Sequence, residues 1–328
     1  MNRRKALVGL VSLGGAFAVA PAQSQPKPRH IGVLVAVRRA DAESQSRVAA
    51  FEDGLAKLGW KKGANLLIDY RFTDGDPSRL APQAKELLGS NPEVAVAFTE
   101  SSASALRQLT LSVPIVFVQV PDPVAAGFVT NLARPEGNIT GFTNFDAAIG
   151  TKWLQIIKEF APKVNRIAIV FGPTNPSWRA YVRSIEAAAK TTGIELSPLA
   201  VTGPAEIETE VGRFASAPNG ALLVLPGTVT VTHRAVITSV ALRHRLPAIY
   251  PYRYHAVGGG LMSYGVDLDS LYRGGASYVD RILKGAKPAD LPIQQPRRFE
   301  FVINLKTAKA MGMSVPHSLL QQADTIIQ

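Results

Sequence analysis

Short apolar runs alternate with helical stretches along most of this chain, and that alternation constrains its fold more than anything else in the sequence. Ile31–Val37 is a continuous apolar run of the kind that forms a strand covered on both faces. Ser46–Trp60 follows with Val48, Phe51, Leu55 and Leu58 at helical spacing. Asn65–Tyr70, Val94–Phe98, Pro114–Val120 and Ile139–Phe142 read as further strands. Helices are expected at Ser78–Leu88 and Ser101–Leu109, with a short one before Ile139. A second series repeats the order. Its strands are Arg166–Phe171, Ile194–Leu199, Leu222–Leu225, Ala248–Tyr250 and Leu261–Tyr264, and its helices Trp178–Thr191, Ile207–Phe214 and Val231–Arg243. Such an order predicts an α/β protein with parallel sheets built by right-handed crossovers.

Internal similarity points to two related units. Ile31–Leu34 resembles Ile167–Val170 at a separation of 136, Val113–Phe117 resembles Leu246–Tyr250 at 133, and Thr140-Gly141 parallels Tyr264-Gly265 at 124. A length of 328 residues with a 46% hydrophobic share is enough for two cores. Beyond the second series come a strong helix at Leu268–Lys284, a strand at Phe299–Ile303 and a helix at Leu305–Met311. If part of this tail returns to the first unit, several chain crossings join the two bodies, and hinged opening follows.

The N-terminus indicates export. Asn2-Arg3-Arg4-Lys5 precedes an uncharged stretch, Ala6–Ala20, and then Ala20-Pro21-Ala22, a small-x-small cleavage pattern. Residues 1–22 therefore read as a signal peptide, an uncleaved anchor being the competing reading. The Arg pair hints at twin-arginine export, but Lys5-Ala6-Leu7 fits that pattern poorly. With no Cys for lipidation, the expected destination is the periplasm, free of the membrane. The net charge of +11 has to be read in that light. The 36 Lys and Arg, less Arg3, Arg4 and Lys5, against 25 Asp and Glu leave +8. Nucleic acid is not an expected partner in that compartment.

Reactive signatures are missing. There is no phosphate loop, no GxGxxG, no GxSxG and no HExxH, and zero Cys excludes a thiol nucleophile or thiolate metal site. His30, His233, His244, His255 and His317 are scattered, so neither a metal nor a cofactor is expected and no enzyme is read. Polar loops at strand ends carry the functional signal, because open α/β sheets bind ligands at the carboxyl ends of their strands. Thr99, Ser101 and Ser102 open a helix after Val94–Phe98, as an anion site or as ordinary caps. Asp122 stands between two prolines, to grip a ligand or to close a turn. Asn175 offers a donor and an acceptor, and Trp178 either stacks on a ligand ring or packs. Thr228 follows Leu222–Leu225, and Tyr250-Pro251-Tyr252-Arg253-Tyr254 gathers aromatic rings about the Arg253 guanidinium, as a ligand patch or as a domain rim.

Several stretches in order resemble the tryptophan/tyrosine-type substrate-binding proteins of ABC transporters. They are Phe51–Trp60, Asp122-Pro123-Val124, Leu132–Gly141, Gly259–Gly265 and Phe299–Lys309. The resemblance implies a type I periplasmic binding protein: two Rossmann-like lobes with parallel sheets, joined by three crossovers about a hinged cleft. The lobes are expected at 28–143 with about 266–295, and at 144–265 with about 296–328. Between them a small polar, carboxylate or aromatic solute, amino-acid-like solutes included, would be trapped by Thr99, Ser101, Ser102, Asp122, Asn175, Thr228, Tyr252 and Arg253. The hinge is expected near Thr140, Thr143, Tyr264 and Asp267. Implied partners are a membrane permease and a separate ATPase, with the chain itself monomeric. A ligand-sensing module for a receptor kinase is the alternative. One departure matters: Gly227-Thr228-Val229-Thr230 stands where amino-acid binders carry an acidic or amide residue.

Overall fold

The computed structural model describes residues 27–144, 146, 148–173 and 178–328. The expected signal peptide and Asn175 lie outside the described residues. The first series runs β1 (Arg29–Val35), α1 (Ala42–Lys57), β2 (Leu66–Phe72), α2 (Leu80–Gly89), β3 (Val94–Phe98), α3 (Glu100–Leu109), β4 (Ile115–Val118) and β5 (Ile139–Phe142). The second runs α4 (Ile149–Phe160), β6 (Arg166–Phe171), α5 (Trp178–Ala189), β7 (Glu195–Ala200), α6 (Pro204–Ala215), β8 (Gly220–Val224), α7 (Thr228–Thr232), α8 (Arg234–Arg243), β9 (Ala248–Tyr250), α9 (Arg253–Val257) and β10 (Met262–Val266). The tail adds α10 (Leu268–Leu283), β11 (Phe299–Asn304), α11 (Leu305–Ala310), α12 (His317–Gln322) and β12 (Thr325–Ile327).

Two sheets result. The first is all parallel, in the order β2-β1-β3-β4-β5. The second has the order β12-β11-β10-β9-β8-β6-β7 and is parallel except where β11 returns antiparallel to β10. Central strands such as β3 and β8 are buried at every residue, as strands covered by helices on both faces must be. In each sheet the chain steps outward from one strand (β1 or β6) and returns on its other side. That reversal opens a crevice at the carboxyl ends of the strands.

The tail divides between the sheets. Leu271, Tyr272, Ala276 and Val279 of α10 join Ile31, Val33 and Phe51 in the first core. Gly54 makes this possible, because a Cβ there would stand 2.8 Å from Ala276 Cβ and 3.1 Å from Arg273 Cα, so α1 and α10 meet nearly backbone to backbone. Phe301, Ile303, Ala308, Met311 and Leu319 instead pack with Trp153 and Ile167 in the second core.

Three expectations about elements need correction. The stretch before β5 is a run of turns rather than a helix, since Pro121, Pro123 and Pro135 remove donors and Gly127 and Gly137 take positive φ. The helix expected at Val231–Arg243 starts earlier and breaks at His233 into α7 and α8, because the β-branched run Thr228–Thr232 holds a helix poorly. Helix α4 fills a gap left between Phe142 and Arg166, burying Ile149, Trp153, Ile157 and Phe160 on one face.

Three crossings lie side by side between the sheets. Thr143 N–H donates to Gln294 O at 2.8 Å, Gln294 N–H donates to Gly141 O at 2.9 Å, and Asp267 N–H donates to Arg298 O at 3.1 Å. Thr143 and Asp267 stand on these crossings. Thr140 and Tyr264 sit inside sheets instead: Thr140 is within β5, its hydroxyl donating to Leu291 O at 2.6 Å, and Tyr264 pairs with Phe301 within β10.

Candidate functional site

The loops at the carboxyl ends of β1, β3, β4, β5, β8 and β9 converge between the sheets. They bring Val37, Thr99, Ser101, Gln119, Asn144, Thr228 and Tyr252 around one cavity, with Arg47 of α1 and Glu100 of α3. A second space adjoins it, sharing Val37, Arg47, Thr228 and Val231 and adding Asp41, Ser44 and Arg234. Each measures about 60 Å³.

Local interactions set each group. The Thr99 hydroxyl caps α3 by accepting from Ser102 N–H at 3.3 Å and lies 3.1 Å from the Ser101 hydroxyl, so the positive end of α3 opens onto the cavity. The Thr230 hydroxyl donates to Leu225 O at 2.8 Å, tightening the turn that presents Thr228. Tyr252, from the second sheet, reaches across. Its hydroxyl accepts from Gln119 Nε2 at 3.1 Å and from Asn144 Nδ2 at 2.7 Å, while the Tyr272 hydroxyl donates to Gln119 Oε1 at 2.8 Å. Gln119 takes φ +67, a left-handed backbone that costs a non-glycine residue energy and here is held by bonds at both ends of its amide.

The aromatic cluster is differently centred from the sequence expectation. Tyr250, Tyr252 and Tyr254 each stack on His255, whose ring lies 4.4 Å from Tyr254 and 5.2 Å from Tyr250. The guanidiniums over Tyr254 belong to Arg47 and Arg234, each at 5.8 Å. Arg253 is turned away. It is exposed, ion-pairs with Glu300 of β11 and donates to the Thr325 hydroxyl at 2.9 Å. A single turn, α9, separates Arg253 from its neighbours, since adjacent residues of a helix point in different directions.

Three other residues singled out in the sequence are spent locally. Ser102 is fully buried behind Thr99. Asp122 closes a turn by accepting from Ala125 N–H at 2.9 Å, with its other oxygen 4.0 Å from Arg183 of α5. Trp178 stacks on Phe171 at 4.5 Å. Among the expected site residues that are described, Thr99, Ser101, Thr228 and Tyr252 are the ones brought to the cavity. Sequence reasoning missed Gln119, Asn144, Glu100 and Arg47.

Charge in this region is unevenly satisfied. Asp41 caps α1 and receives Arg234 Nη2 at 2.8 Å from the second lobe. Burial opposes its charge, but the Arg234 hydrogen bond and charge outweigh burial and hold the carboxyl below its ordinary range. His255 is pushed down to about 3, first by burial and then by the charges of Arg234 and Arg47, so its ring is neutral. Among the described residues no group of three or more His, Cys, Asp or Glu could hold a metal ion, and no helix is long and apolar enough to cross a membrane. The site offers hydrogen-bond donors, acceptors and a cation in a cleft between two bodies, an arrangement suited to holding a small polar molecule.

Comparison with known proteins gives a consistent picture. Residues 30–327 match the family described as ABC transporter substrate binding protein. A tyrosine-binding protein of Clostridioides difficile is 25% identical over 290 residues, covering 88% of this chain and 82% of the relative. A solved ABC domain from Streptococcus pneumoniae in complex with L-Trp is 26% identical with a TM-score of 0.85, covering 92% of this chain and 100% of that one. A conserved domain protein from Vibrio cholerae has the same identity, coverage and TM-score. More distant neighbours at 10–12% identity share the type I periplasmic binding fold alone.

Proposed function

The chain belongs to the ABC transporter substrate binding protein family, and on that premise we propose that it is the periplasmic solute-binding component of an ABC import system, trapping an amino-acid-like solute of the tryptophan or tyrosine kind. One observation carries this reading: strand ends of both sheets line a single cavity, so a solute there touches both lobes at once. Asn144, on the crossing just after β5, adds an acceptor beside the donors Thr99, Ser101, Thr228 and Tyr252. Acceptors for an ammonium group therefore need not come from Gly227–Thr230. The similar proteins named for tyrosine or solved with L-Trp support the solute class.

The cavity's two parts, about 60 Å³ each, are small beside the roughly 300–1,000 Å³ of typical ligand pockets, so loading requires the lobes to part. The lobes are 28–143 with about 266–295, and 144–265 with about 296–328. They rotate about Thr143, Asp267 and the 294–298 segment. After export directed by residues 1–22, the monomer delivers its solute to a membrane permease driven by a separate ATPase.

Thermal unfolding of the mature chain with L-tryptophan, L-tyrosine and a library of small metabolites tests the reading. A cognate solute at 100 times Kd should stabilise by about 2.7 kcal/mol. No stabilisation by any solute overturns it.

A further inference from the structure

We propose that Arg47 is the anion-binding residue of the cleft and that the solute it serves presents a carboxylate to be buried against this guanidinium. This rests on the solute-binding reading above. Arg47 lies on the face of α1 that buries Ser44, Ala50, Phe51 and Gly54, and only 4% of it is exposed. Its Nε and Nη2 have no hydrogen-bond partner, and it lines both parts of the cavity. Among the described residues it forms no ion pair. Asp41, one and a half turns earlier, is engaged by Arg234, and the Glu43 carboxyl is itself held up by burial against the opposing pull of Arg47.

A guanidinium cannot shed its charge, so burial with two donors unmet is a standing cost. The Tyr254 ring at 5.8 Å and a hydrogen bond to the Tyr272 hydroxyl offset part of it but leave Nε and Nη2 unmet. The free donors are informative in their pairing. Nε–H and Nη2–H lie along one edge of the guanidinium and point the same way, the edge that receives both oxygens of a carboxylate. The amino end of α3, capped by Thr99, opens onto the same cavity and favours the same sign of charge. Asn144 supplies the complement: its Oδ1 is buried without a partner and lines the cavity. A donor edge and an open acceptor in one small space fit the two ends of a zwitterion.

The test compares L-tryptophan and L-tyrosine with L-tryptophanamide and L-tyrosinamide, which keep ring and amine and lose the carboxylate. They are titrated into the wild type, Arg47→Met and Arg47→Lys. In the wild type the amides should bind roughly 100-fold more weakly than the acids. Arg47→Met should bind both weakly and alike, and without solute it should melt no lower than the wild type, because a buried unmatched charge has been removed. Arg47→Lys keeps the charge but not the two-pronged edge, so its preference for the acid should fall between the two. Equal binding of acid and amide by the wild type overturns the proposal, as does full discrimination by either variant. If the library yields only neutral or cationic solutes, solute binding stands and this inference falls. If nothing binds, both fall.

Discussion

Arg47 of the first lobe and His255 of the second are both buried against the ring of Tyr254, and both carry a positive charge in water below neutral pH. The fold treats them in opposite ways. His255 gives up its proton, burial having pushed it down to about 3, and becomes one more flat ring in a stack with Tyr250 and Tyr254. Arg47 has no such exit. A desolvated histidine resolves its problem inside the chain, whereas a desolvated arginine with two open donors requires something from outside it. The lobes therefore divide the work: the first presents a fixed charge together with Gln119 and Glu100, the second presents a neutral aromatic surface and a tyrosine hydroxyl, and Asn144 stands on the crossing between them.

The largest effect expected from this contrast is on acid stability. The unfolded chain protonates His255 near 6.5, and the folded one does so only near 3. The unfolded state therefore binds the extra proton first, and stability falls steadily as pH drops from about 6.5 to about 3. At 1.36 kcal/mol per unit the loss is on the order of 4–5 kcal/mol. His255→Phe keeps the stacking and removes the proton site, so urea midpoints at pH 7, 5 and 4 should converge. An unchanged acid slope in that variant would sink the contrast between the two buried groups.

Tyr252→Phe comes next, because it removes the hydroxyl through which the second lobe holds the first. Gln119 Nε2 and Asn144 Nδ2 both lose their acceptor, and leaving the buried Asn144 donor unmet costs about 1–3 kcal/mol. A more open solution shape without solute, read by small-angle scattering, should accompany weaker solute binding. Wild-type scattering and affinity in this variant would mean that the hydroxyl does not couple the lobes.

Much of the frame was legible because its strands are buried on both faces and so read as unbroken apolar runs, Val94–Phe98 being the same in sequence and structure. The strand-end rule brought Thr99, Ser101, Thr228 and Tyr252 to attention, since that rule depends on topology alone. It failed at Arg253 and Asp122, whose roles depend on one turn of α9 and on a local cap that composition does not reveal. Gln119 was hidden inside an apparent strand because its positive φ leaves no trace in residue type. Arg47 was different, for its signal was present. Ser44, Arg47, Phe51 and Gly54 repeat every three or four residues, so a charged residue stood in the phase of the core. A charge out of place in a helical period is readable without coordinates.

Asp41→Asn makes the smallest and cleanest change to the contrast. Asparagine caps a helix as well as aspartate does, so α1 keeps its start while the bridge to Arg234 of the second lobe loses its charge. Both partners are partly solvated, and such pairs contribute about 0.2–1 kcal/mol, screened by salt. The Asp41 carboxyl is held below its ordinary range, so its contribution is present above about pH 4 and disappears as pH falls further. Solute affinity should drop by a few-fold at low ionic strength, and the difference from the wild type should vanish in high salt. A loss that persists in salt would assign Asp41 to the solute itself, shifting charge recognition from Arg47 alone to both ends of α1's first turns.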